Sequence, residues 1–348
     1  LWHSSISKND GEAAMHVDKH GSMNRRDHLK LIGAAGMAAA GLPALGQTSN
    51  WPDKPVRWVV PFAPGGTSSI VARSIGAELT KQLGVPFVID NKGGGGGVPA
   101  MQEALRAPAD GYTIVMSHIG LMAVNPLIYP DSGYDVNKDF TSVTLLSRVP
   151  SLFVIHKDVP AKDFKSFVAY VKSKPGQLNY ASAGNASAGH LAVEALKVAT
   201  GMFITHIPYR GAGPALQDLI VGNVDMMFDG LGSSAAHIKG GRIKALMVSG
   251  TKRNPAFPDV PCSTELGLPD YTVSTWYGVW APKGTSPDAQ AKAIEEFRRA
   301  CQTDEAKAVW ANQGAEFPNL TGAQFEAFIK KELAKWSQVV KASGAKLD

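Results

Sequence analysis

The sequence predicts an α/β protein built as two doubly wound lobes facing each other across a ligand cleft. Three observations lead there. Strand-like apolar runs alternate with helical patterns from Pro55 onward, the order that builds parallel, doubly wound sheets. A central block, about 151–275, repeats the alternation with its own apolar set, and two more helical segments follow it. The chain has 348 residues, 44% of them hydrophobic, enough for two cores of ordinary size. The layout implied is a first lobe of 47–150 plus 276–348 and a second lobe of 151–275. The chain would cross between them near 149–151 and 277–279.

Each element has a local reason. Residues 55–62 read as a buried strand ending in the turn 63–66, and Thr67, Ser68 or Ser69 can cap the helix that follows. Val71, Ile75, Leu79 and Leu83 recur every fourth residue along that helix, and Gly84 stops it. A strand at 86–90, five glycines at 93–97, a helix at 98–106 and a strand at 112–118 come next. Beyond a loop-rich stretch, 143–146 and 152–155 read as two strands and 164–173 as a helix. Strands at 178–181, 204–207, 224–229 and 243–248 alternate with helices at 191–200 and 215–221, with Pro214 placed at the first helical position. The segment 276–280 precedes two helices, 287–302 and 322–343.

Residues 1–46 read as a leader and signal peptide. A basic stretch from Met23 to Lys30 precedes 12 apolar residues, 31–42, and small residues at Ala44 and Gly46 before a cut. As a helix those 12 residues reach about 18 Å, short of a bilayer core of about 30 Å. The segment is therefore expected to export the chain, not anchor it. Arg25-Arg26 followed by Leu29-Lys30 resembles a twin-arginine signal, with His28 where that pattern prefers Phe. Translation is expected to start at Met23 or Met15. Loss of the leader removes five Lys or Arg and four Asp or Glu, so the formal charge of +5 becomes +4. No cluster of Lys and Arg is interleaved with aromatics, which argues against nucleic-acid binding. Cys262 and Cys301 lie far apart without ligand spacing, as expected of two buried thiols rather than a disulfide or zinc site.

Three loops rich in Gly, Ser and Thr precede helices: 63–69, 182–190 and 209–214. Helix N-termini leave backbone N–H groups unpaired at the positive end of the dipole, which suits a carboxylate or phosphate. Glycine lets the backbone come close to such a ligand, although the same loops also serve as plain turns. Other chemistries fit less well. The glycines at 93–97 lack the Gly-Lys-Ser/Thr ending of a phosphate loop, and Gly211-Ala-Gly213 lacks a third dinucleotide glycine. Ser182 and Ser187 each miss the first glycine of a nucleophile elbow. An esterase using Ser182 or Ser187 with His190 is the enzymatic alternative. His190, His206 and His237 are not at metal spacing, and no cofactor is expected. His190 opens a helix beside the Ser/Gly loop and could donate to the cleft. Arg73 reads as solvated, Arg210 divides between ligand and lobe-to-lobe contact, and Asp229 could hold a ligand hydroxyl or cap the turn after it.

Together these segments carry a family resemblance. Residues 51–57, Pro61-Phe-Ala-Pro-Gly-Gly66, Asp110-Gly-Tyr112, Asn125-Pro126, Lys138-Asp-Phe140 and Asn179-Tyr-Ala-Ser-Ala-Gly184 with His190 contribute. So do His206-Ile-Pro-Tyr-Arg-Gly211, Pro214-Ala-Leu216, 224–229, 257–261 and Trp276-Tyr-Gly278. Weak singly, in this order they resemble the TctC-like or Bug-type receptors of tripartite tricarboxylate transporters, over nearly the full length after the leader. The resemblance implies a type II periplasmic binding protein fold, a non-enzymatic receptor in the periplasm, and a small carboxylate as ligand. It places Phe62, Gly65, Gly66, Thr67, Ser68, Ser69, Ser182, Ala183, Gly184, Asn185 and Ser187 around a carboxylate, partly through water, with Tyr209, Arg210, Gly211 and Asp229 lining the rest. It also implies a monomer that closes by a hinge and docks on membrane permease subunits; signalling to a sensor kinase is a further alternative. Two departures stand out. Ser69 replaces the Asp that such receptors commonly carry, and Lys92 with a glycine run replaces an Arg-Pro-Gly-Ala-type turn.

Overall fold

The computed structural model describes residues 51–128, 132–269 and 271–343. The expected leader and export signal lie outside the described residues. The chain opens as β1 (Val56–Val60), α1 (Thr67–Leu83), β2 (Phe87–Asn91), α2 (Val98–Leu105) and β3 (Thr113–His118). β1 is mostly β-branched and buried; α1 buries Val71, Ile75 and Leu79 on one face. Gly84 ends α1 with φ 70°, its N–H donating to the Thr80 carbonyl. β2, β1 and β3 pair in parallel, in that order.

The fourth strand in this half-sheet comes from far along the chain. β9 (Ser274–Pro282) runs antiparallel between β3 and β4 (Phe140–His156). β4 is one continuous strand of 17 residues, where the sequence suggests two. Pro150 marks the change of partners. Phe140 to Pro150 pair with β9, whereas Ser151 to His156 pair with β7 (Met226–Gly230) and β8 (Ile243–Val248). A residue without an N–H is tolerated where one ladder ends and another begins.

The second half-sheet then reads β6 (Thr205–Pro208), β5 (Asn179–Ser182), β7, β4, β8. Its order matches the first, β2-β1-β3-β9-β4, and in both the antiparallel member is fourth. The chain has no sequence repeat, yet the topology recurs.

The helices of this region are α3 (Phe164–Ser173), α4 (Ala188–Thr200), α5 (Ala212–Val221) and α6 (Leu231–Lys239). Asp163 and Ser166 form a reciprocal capping box on α3. α5 begins at Ala212, so Pro214 takes the third helical position, where its missing N–H again leaves no gap. α6 occupies a stretch that reads as a turn from sequence. The C-terminal part holds three helices, not two: α7 (Pro287–Ala300), α8 (Asp304–Gln313) and α9 (Gly322–Ser343). α8 is short and buries only Ala306, Trp310 and Gln313, which left its periodicity faint; Thr303 caps it by accepting the Ala306 N–H.

A continuous apolar core links the two half-sheets and is covered by α9. Phe325 is fully buried, its ring centroid 5.0 Å from that of Trp280 and 6.5 Å from that of Trp276. Cys262 and Cys301 are both free and buried. No described helix is long and apolar enough to cross a membrane, and no metal-ligand cluster occurs among the described residues.

Phe325→Ala should leave a cavity in this shared core and cost about 3–5 kcal/mol of stability. Urea unfolding should show a lower midpoint with little change in slope; an unchanged midpoint would contradict the packing described.

Candidate functional site

The carboxyl ends of β1, β3, β5 and β7 converge on one partly open cavity of about 40 Å³. Open α/β sheets bind ligands at this edge, where the connections to the next helices leave room. Phe62 follows β1, His118 ends β3, Ala183 follows β5, and Phe228, Asp229 and Gly230 end β7. His118 is the register partner of Tyr277 on β9, and Thr275 lies two residues away, on the same face as Tyr277.

Three helices present their N-termini to the cavity. Ser187, Ala188 and Gly189 open α4; Ala212 opens α5 behind its cap Gly211; and Gly230 caps α6. Their first N–H groups and dipole ends favour an anion without a charged side chain. A Cβ on Gly189 would stand 2.6 Å from the Phe228 carbonyl oxygen, so glycine is what lets α4 start this close to β7.

The side chains add one carboxylate and one neutral donor. Asp229 is 4% exposed, and its Oδ2 accepts from the hydroxyls of Ser233 at 2.7 Å and Ser234 at 2.5 Å. Ser233 Oγ lies 2.9 Å from Thr67 Oγ1, continuing the chain of hydroxyls to the start of α1. Burial pushes the Asp229 carboxyl up to about 6, against the pull of its hydroxyl donors. His118 is 3% exposed, and its Nδ1 accepts the Gly120 N–H at 3.0 Å. The ring proton therefore sits on Nε2, which has no partner among the described residues. Burial pulls the imidazole down to about 3, so a neutral ring stands in the cavity wall. The Phe62 ring packs on it at 4.7 Å between centroids. Burial and the nearby Asp229 raise the Tyr277 phenol. Among the described residues, no Lys or Arg lines the cavity.

Of the residues expected from sequence, Phe62, Ala183, Ser187 and Asp229 line this cavity. Gly66 caps α1, and Gly65 at φ 93° lies against Gly213. Thr67, Ser68 and Ser69 are buried in the first turn of α1. Ser182 Oγ accepts the Gly184 N–H and lies 2.7 Å from His206 Nε2. Asn185 turns its carbonyl towards Gly96. Tyr209 donates to Asp218 at 2.6 Å, Arg210 uses its carbonyl to accept the Ala63 N–H at 2.9 Å, and Gly211 at φ 149° caps α5. These groups shape the walls from behind. Arg73 is exposed and bonds Asn91 at 3.0 Å.

His190 sits apart from the cavity lining. Its Nδ1 accepts the Ala186 N–H at 3.1 Å, pinning a non-glycine residue at φ 59°, and its ring stacks on His206 at 4.0 Å. Ser187 Oγ accepts the His190 backbone N–H as the cap of α4. Neither Ser182 nor Ser187 has a side-chain bond to the His190 ring among the described residues. Sequence reasoning missed His118, Thr275 and Tyr277, and also Ala188, Gly189, Ala212, Phe228 and Gly230. The signal was faint: His118 closes a predicted strand at its carboxyl end, and Tyr277 lies in the Trp-Tyr-Gly segment.

Comparison with known proteins agrees with this geometry. The pattern of the tripartite tricarboxylate transporter family receptor, TctC, matches residues 71–345. The chain is similar to Protein BugT of Bordetella pertussis, 33% identical over 326 residues, covering 93% of this chain and 100% of that protein. A solved Rhodopseudomonas palustris protein with adipate is 35% identical, with a TM-score of 0.82 over 84% of this chain and 98% of that one. MatC from the same organism, solved with bound malate, is 35% identical, with a TM-score of 0.79 over 83% of this chain and 100% of that one. A periplasmic binding protein, BugD, has a TM-score of 0.82 at 33% identity, over 84% of this chain and 99% of that one. The mixed α/β architecture is thus the periplasmic binding protein fold, and the chain belongs to the TctC family of non-enzymatic solute receptors.

Proposed function

We propose that this receptor captures a small organic acid in the periplasm and delivers it to the membrane permease subunits of a tripartite transporter. The observation that carries the reading is the cavity where three helix N-termini converge beside a neutral His118 and without a cation. Such a site holds an anionic end by directed neutral donors. The adipate and malate held by its relatives support a carboxylate. Residues 1–46 would supply the export signal, and the receptor would work as a monomer without a cofactor.

Lobes of 47–150 plus 276–348 and 151–275 would close over the acid about the β4/β9 pair. Contacts between the two loop sets support a shut state. Ala63 donates its N–H to the Arg210 carbonyl, Gly65 and Gly66 abut Gly213 and Ala212, and Thr67 meets Ser233. These contacts are few and small, two of them hydrogen bonds, so they can form and break with the ligand. The first-turn residues Thr67, Ser68 and Ser69 and the loop residues Ser182, Gly184, Asn185, Tyr209, Arg210 and Gly211 then serve as the supporting wall, with Phe62, Ala183, Ser187 and Asp229 at the ligand.

A melting screen against carboxylates, amino acids and neutral amides tests the reading. At about 100 times its dissociation constant a ligand adds about 2.7 kcal/mol. A carboxylate should raise the melt and be recovered unconsumed; turnover of an ester with no shift by any acid would contradict the proposal. Gly213→Ala tests closure. Gly213 is helical, so the methyl suits its own backbone, but it would run into the Pro64 carbonyl of the facing loop. Ligand affinity should fall at least about tenfold, and the ligand should no longer shrink the radius of gyration in solution scattering. His118→Phe keeps the ring and removes the donor; it should cost about 1–3 kcal/mol of binding, read by calorimetry.

A further inference from the structure

We propose that the acid is bound together with one proton from solvent, held between the ligand and the Asp229 carboxyl. The inference rests on the receptor reading above and adds the protonation state of the bound complex. Its basis is the cavity itself. A water position needs about 10–15 Å³ of such space, so a cavity of about 40 Å³ leaves a ligand carboxylate nowhere remote from Asp229. No Lys or Arg lines the cavity, so only the partial charges of helix N-termini stand against two carboxylates. A buried Asp229 and a second carboxylate beside it repel each other, which favours a proton on one of them.

The groups facing Asp229 leave it as the one that titrates. From α6 come the hydroxyls of Ser233 and Ser234, and from α1 that of Thr67, linked through Ser233. Leu152 is its register partner on β4. Across the cavity, His118 stays neutral down to about 3 and burial keeps the Tyr277 phenol protonated. The stacked His190 and His206 are held to about 4 and about 3 by burial, so they too stay neutral near pH 7. Asp229 already stands at about 6 in the cavity as described, and an anion beside it moves it further up.

A ligand ammonium would be the other way to balance Asp229. It carries three protons and needs acceptors for them. Apart from Asp229, the cavity is bordered by the starts of α4, α5 and α6, whose first N–H groups are donors. That arrangement favours an acid over an amine.

The linkage has a definite sign. Complex formation stabilises the protonated Asp229, so binding takes up protons between the free and bound values of its pKa. Affinity is greatest near pH 6 and falls by up to about tenfold per pH unit towards pH 8. The test uses malate, adipate and benzoate, with choline and ethylamine as cationic controls. Calorimetry at pH 6, 7 and 8 is repeated in buffers of different ionisation enthalpy. At pH 8, uptake approaching one proton per bound acid is expected, and Asp229→Asn should bind with no uptake and no pH dependence. Should that variant fail to fold, Ser234→Ala serves instead. It removes a donor that holds the carboxyl down, so the falling limb should move to higher pH. An acid that binds with flat pH dependence and no proton uptake overturns the inference and leaves the receptor reading in place. Uptake that persists in Asp229→Asn likewise overturns it. If none of the acids binds at any pH while a cation does, both readings fall.

Discussion

Everything in this protein hangs on the antiparallel pairing of β4 with β9. Both strands run past the end of one half-sheet into the neighbourhood of the other, and their pairing from Phe140/Pro282 to Pro150/Ser274 is the long ladder of the fold. Each half-sheet therefore borrows its fourth strand from a chain segment that passes between them. Such strands are stiff along their length and able to twist or bend, which suits a hinge. The same geometry sets the site. β9 alternates faces, so Thr275 and Tyr277 look into the ligand cavity while Ser274 looks into a groove on the opposite side.

On the proposed reading, the cavity is an anion site made without a cation. Helix N-termini and a buried neutral imidazole offer donors already fixed in place, so little reorganisation is needed when the acid arrives. A guanidinium or ammonium would bind more tightly but also hold harder, which is unhelpful to a receptor that must release its cargo. Asp229 works against the anion, and its hydroxyl partners tie that opposition to the Thr67 contact between the facing loops. On that reading charge balance and closure meet in one chain of hydrogen bonds.

Much of the fold was legible because many elements announce themselves locally. Residues 164–173 and 243–248 match their predicted spans; a short amphipathic helix and a short apolar run are local signals. β4 was read as two strands because Pro150 interrupts it, and only tertiary pairing shows that the interruption falls at a change of partners. α6 starts Leu-Gly-Ser-Ser, a poor helical opening by propensity, yet Asp229 accepts two of its hydroxyls and β7 aims it. For the site, glycine and serine placement located the right loops. Which atoms face inward was not legible, since His190 turns back to pin Ala186 while His118, unremarked, turns in.

The most direct test of the account is a crystal structure grown with whichever acid most raises the melt. The account predicts one carboxylate in the cavity among Phe62, Ala188 and Asp229, with an oxygen in hydrogen-bond reach of His118 Nε2 and of backbone N–H groups at the helix starts. The far groove of about 330 Å³ beside β9 holds Arg148 and Lys335, the cations the cleft lacks. Density for the acid in that groove, with the cavity holding none, would contradict the account.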